Sequence, residues 1–99
     1  QVIDSVLVDS VDMAEWEVVI SLDSAPERKR GFKIAAMHDG TASADATDVD
    51  DNIYARLRKG TGFNRTVSVD IDGVGAAQVM RLKVAASSAV SVKFRRTSV

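Results

Sequence analysis

The sequence predicts an all-β domain of about seven strands, arranged as an antiparallel β-sandwich or a jelly-roll-like variant of one. Three observations carry that prediction. Apolar and polar residues alternate with a period of two in several separate segments. Turn-forming residues, glycine above all, punctuate those segments roughly every 8–12 residues. No window carries an apolar stripe at the 3.6-residue period of a helix.

The first strand to stand out runs from Glu15 to Asp23, with Trp16, Val18, Ile20 and Leu22 on one side and Glu15, Glu17, Val19 and Ser21 on the other. Asp23-Ser24-Ala25-Pro26-Glu27 reads as a turn and holds the one proline. Phe32, Ile34, Ala36 and His38 then alternate with Lys33, Ala35 and Met37, and Asp39-Gly40 ends that strand. Thr41 to Asn52 is small, polar and acidic and reads as a long surface loop. Ile53, Ala55 and Leu57 alternate with Tyr54, Arg56 and Arg58 before the turn at Lys59-Gly60-Thr61-Gly62. Val67, Val69 and Ile71 define the next strand, closed by Asp72-Gly73-Val74-Gly75. Met80, Leu82, Val84 and Ala86 form another, and Val90, Val92 and Phe94 the last. The core expected from these stripes is Trp16, Ile20, Phe32, Ile34, Leu57, Val69, Ile71, Leu82, Val92 and Phe94.

The opening dozen residues differ. Val2, Val6 and Val8 alternate with Ile3, Ser5 and Leu7, so both faces carry apolar side chains. A strand of that kind suits burial on both sides, and Val2, Ile3, Val6, Leu7 and Val8 are expected to form a subunit contact.

The 99 residues match one domain, 1–99, with 45% hydrophobic and 27% charged residues in the globular range. No cysteine is present, which excludes disulfides, thiolate catalysis and cysteine-ligated zinc within this sequence. No apolar run approaches the roughly 20 residues of a membrane helix, so no membrane contact is expected. The net charge of −1 argues against a nucleic-acid binder driven by overall charge. That small net value hides a division. Residues 1–52 hold 12 acids and 4 bases, whereas residues 53–99 hold 2 acids and 9 bases. Complementary halves of this kind suit strands that pair across the midpoint, or neighbouring subunits that meet acid to base.

Little in the sequence carries catalytic chemistry. His38 is the one histidine and sits at a strand end beside Asp39-Gly40, where a hydrogen-bonding role is expected. No nucleophile elbow, P-loop or dinucleotide fingerprint occurs. Asp45, Asp48, Asp50 and Asp51 invite a calcium reading, because calcium takes six to eight oxygen ligands. The EF-hand spacing fails. Starting at Asp48, it puts Ile53 where glycine belongs and Lys59 where the bidentate glutamate belongs. A solvated acidic loop with no metal and no cofactor is the expectation. Glu27-Arg28-Lys29-Arg30 likewise reads as a solvated turn rather than a phosphate site. Trp16 lies on an apolar stripe, so core packing is favoured over sugar stacking.

Taken together, Ala14-Glu15-Trp16, the segment Lys33 to Gly40, the segment Ile53 to Gly60, Met80 to Val84 and Ala89 to Arg96 resemble small β-sandwich virion proteins of tailed bacteriophages. The resemblance spans roughly Ala14 to the last residue and contains no catalytic signature. It implies a non-enzymatic head decoration, fibre or tail-appendage module in the virion. Such a module acts through contacts with capsid or tail proteins and with itself, as a homotrimer. The alternative is a carbohydrate-binding β-sandwich, which would present exposed aromatic side chains.

Overall fold

The computed structural model describes residues 1–41 and 43–99. Seven strands form two antiparallel sheets packed face to face, a β-sandwich. The strands are β1 (Val2–Leu7), β2 (Met13–Leu22), β3 (Ala25–His38), β4 (Val49–Lys59), β5 (Arg65–Asp72), β6 (Val79–Ala86) and β7 (Val90–Ser98). One sheet has the order β1-β6-β5 and the other β4-β3-β2-β7. Short 3₁₀ turns follow β1 at Val8–Ser10 and precede β6 at Gly75–Ala77.

The alternating stripes meet in the space between the sheets. Trp16, Ile20, Ile34, Met80 and Leu82 are fully buried, with Val18, Val69 and Val84 beside them. Each such side chain contributes roughly 1.5–3 kcal/mol through the apolar area it removes from water. One polar clip crosses this interior. The register of β1 against β6 shifts between Val2 and Asp4, which turns Asp4 toward the opposite sheet. Its Oδ2 accepts hydrogen bonds from Trp16 Nε1 at 2.9 Å and Arg96 Nη1 at 2.8 Å, tying β1 to β2 and β7.

The molecule is elongated, 46 × 22 × 17 Å. Fourteen residues of β3, at about 3.3 Å each, match the long axis. The strands therefore run lengthwise, and the loops gather at two opposite ends.

Several boundaries differ from those read in the sequence. The β2–β3 connection is a tight turn at Asp23-Ser24 rather than a turn through Glu27. Pro26 lies inside β3, in the stretch where pairing with β2 skips from Ala25 to Lys29, so its missing N–H breaks no ladder. Strand β4 starts at Val49, shortening the expected acidic loop. Two expected core residues are exposed. Leu57 is 75% exposed and Phe94 is 43% exposed, while Ile71 and Val92 are only half-buried. Phe94 pairs with buried Val18 and so faces inward, but β7 is an edge strand of the wider sheet. Leu57 is outside for a different reason, an irregularity in β4.

Candidate functional site

A bulge in β4 builds a surface groove. Gly31 pairs with Leu57 and Lys33 with Tyr54, so Ala55 and Arg56 together oppose the single residue Phe32. Ala55 takes a left-handed φ of 54°, and it is the one non-glycine residue to do so among the described residues. The extra residue reverses the phase of the strand. Ile53 still packs on the core, but Leu57 turns to the outer face of the four-stranded sheet.

There Leu57, Gly31 and Val19 form one row across β4, β3 and β2. Without a side chain at Gly31, the row is a groove of about 470 Å³, floored by Val19 and Leu57. The adjoining row is charged: Tyr54, Lys33, Glu17 and Arg95. Arg95 Nη2 donates to Glu17 Oε1 at 2.7 Å, and Lys33 lies 4.0 Å from both Glu17 and Glu15. The Tyr54 hydroxyl donates to Glu15, and that carboxylate raises the phenol above its ordinary range. Both signs of charge thus border the apolar floor.

Beyond Leu57 the groove runs into a second cavity of about 460 Å³, lined by Arg30, Arg56, Arg58, Arg65 and Gly62. Arg30 is 6% exposed and donates to the carbonyls of Lys29, Lys59 and Gly60. Arg28 donates to Thr61 and Gly62 carbonyls. Arg30 and Arg65 both lie over the Phe63 ring, at 5.7 and 5.6 Å from its centroid. Burial first, and then the charges of Arg30 and Arg56, push the Arg65 guanidinium below its ordinary value. The segment Glu27-Arg28-Lys29-Arg30 is therefore strand that anchors a loop, not a solvated turn.

The acidic residues lie at the other end. Asp39 accepts from Thr47 N, Thr47 Oγ1 and Asp48 N at 2.7–2.9 Å, and these bonds hold its carboxyl down at about 2. Asp45 Oδ1 accepts from Gly75 N and Asp48 Oδ1 from Val49 N. Asp50 and Asp51 belong to β4, opposite Met37 and Ala36. Among the described residues, no three acidic or histidine side chains converge as metal ligands. His38 is buried, with Nε2 on the Val11 carbonyl at 2.5 Å and Nδ1 accepting from Gly40 N. One ring nitrogen serves the turn at Gly40 and the other ties it to the β1–β2 connection at Val11.

Of the residues expected to form a subunit contact, Val6 and Val8 are buried in the chain's own core and Ile3 packs against it. Val2 and Leu7 remain exposed. Trp16 is fully buried, which removes it from any sugar platform. Sequence periodicity does not reveal the groove, because a bulge made with alanine leaves no glycine signal. Nor does it reveal the arginine cavity, whose members come from β3, β4 and β5. Comparison of this chain with protein-family models, curated proteins and solved structures found no match to any of them.

Proposed function

We propose that this chain is a non-enzymatic structural module that works through protein–protein contacts, as one unit of a larger particle. The observation that carries the reading is the outward turn of Leu57. A left-handed alanine costs roughly 1–2 kcal/mol relative to ordinary backbone, and here its effect is to expose a large apolar side chain. Strain retained for that result belongs with binding rather than with stability. The groove over Gly31 accepts an apolar side chain, and its mixed border of Glu17, Lys33 and Arg95 offers both signs of charge to a different patch of a neighbouring copy. A second copy is therefore its occupant, with the homotrimer as the expected stoichiometry. The resemblance to small virion β-sandwiches points to a phage head or tail as the particle.

Light scattering at high micromolar concentration tests this in about 500 mM salt, where surface electrostatics are screened. The wild-type protein should associate, and Leu57→Asp should weaken association by about tenfold or more. A strict monomer overturns self-association through the groove.

A further inference from the structure

Unpaired cations gather around the β4–β5 connection, and unpaired carboxylates gather where β3 ends and β4 begins. At one end Arg56, Arg58 and Arg65 surround a cavity with buried Arg30, and Lys29 and Lys59 pair across β3 and β4. Among the described residues, none of these cations joins an ion pair. At the other end lie Asp39, Asp45, Asp48, Asp50 and Asp51, also without a cationic partner among the described residues. Several lateral charges, by contrast, are paired. Asp70 with Arg81 and Lys83, Glu17 with Arg95, and Asp4 with Arg96 are all in contact.

The unpaired cations and the unpaired carboxylates thus lie apart along a body 46 Å long. Screening in physiological salt acts over about 8 Å, so the ends cannot neutralise one another within one molecule. They can meet only between molecules. The cavity supplies guanidinium forks, which match carboxylates in bidentate geometry. Arg30, anchored on backbone carbonyls and 6% exposed, is fixed in place before any ligand arrives. An incoming carboxylate would also compensate the Arg65 guanidinium, which burial first and then the charges of Arg30 and Arg56 disfavour.

We infer that the arginine cavity is the seat for the acidic Asp45–Asp51 end of a second copy, joining copies head to tail. This rests on the reading of the chain as an assembly module, but it uses the arginine side of Leu57 rather than the apolar groove on its other side. A contact between two different surfaces is heterologous, so copies add one after another and assembly does not stop at a dimer.

Sedimentation of the full 99-residue chain at about 20 mM and about 500 mM salt tests the inference, since surface charge is exposed in the first and screened in the second. The Leu57→Ser background removes the groove's apolar side chain without placing a carboxylate among the arginines, whose cavity Leu57 also lines. Low salt should give a ladder of oligomers, and high salt should weaken association by about tenfold or more. Arg56→Gln/Arg58→Gln and Asp48→Asn/Asp50→Asn/Asp51→Asn should each abolish the ladder. Each variant retains one intact end, so mixing them should give a one-to-one heterodimer and nothing larger. A mixture that stays monomeric overturns the proposal. So does a ladder that survives either variant. Pyrophosphate at matched ionic strength should dissolve the ladder better than chloride. Pyrophosphate binding by a protein that is monomeric at low salt would assign the cavity to a free oxyanion and overturn the second copy as its occupant. Groove-driven association of the Leu57 protein at high salt stands or falls separately from all these outcomes.

Discussion

The two ends of the sandwich fasten their loops by opposite chemistry. At the acidic end the side chains accept, and the loop's N–H groups donate. Ala46, Thr47 and Asp48 give their amides to Gln78, Asp39 and Asp39 in turn. At the basic end the side chains donate, and the loop's carbonyls accept. Lys59, Gly60, Thr61 and Gly62 all give their oxygens to Arg28 or Arg30. The charge of an end follows from which half of the peptide group its side chains satisfy. Burial separates the ends further. Gln78 is buried and brackets Ala46 on both its N–H and its carbonyl, at 2.9 and 2.8 Å. Gly40 fits so closely that a Cβ there would lie 2.7 Å from Ala46 N. The acidic end is thus a packed corner, and the basic end a loop held by two guanidinium groups.

The largest effect that breaks this comparison is expected from Gln78→Ala. It strands a buried N–H and a buried carbonyl, costing about 2–4 kcal/mol. Denaturant unfolding measures the loss, and hydrogen exchange should show the Ala46–Val49 amides losing protection while the basic end is unchanged. Arg30→Met should cost less, about 1–2 kcal/mol, because removing a charged donor from three carbonyls is offset by relief of Arg65. The cost should shrink further at low ionic strength, where that repulsion is strongest, and a salt series of melting temperatures checks the slope.

Acid should act on one end first. The Asp39 carboxyl lies at about 2, below its ordinary 3.8. A depressed carboxyl stabilises the fold above its unfolded value and loses that contribution as pH falls through the folded one. The melting temperature should therefore drop between about pH 4 and pH 2. Asp39→Asn should flatten that drop, and an unchanged pH profile in the variant would contradict the assignment. The smallest expected effect is Ala55→Gly, which removes the left-handed penalty without moving Leu57 and should stabilise the protein by about 0.5–1 kcal/mol.

The strands built on strict alternation are legible in the sequence itself. Trp16, Ile20, Ile34 and Leu82 occupy the core that their spacing predicts. The bulge is not legible, because Ile53, Ala55 and Leu57 keep perfect alternation in sequence while Ala55 breaks it in space. Phe94 departs from its expected burial for another reason. Periodicity gives the face of a strand but not whether another sheet covers it. The charge division is visible in the sequence, yet its meaning depends on topology. Arg28 and Arg30 lie in the acidic half of the chain and join the basic end only because β3 pairs with β4. The acidic loop is legible as acidic, whereas its packing on Gln78 joins residues 32 positions apart.

The clip between Asp4 and Trp16 makes β1 optically visible. This chain has a single tryptophan, and its indole N–H is bonded to a carboxylate carried by an edge strand. Should β1 peel from β6, the indole would lose that partner and meet water, shifting its emission to the red. One fluorescence trace therefore follows the seating of β1 apart from the unfolding of the rest.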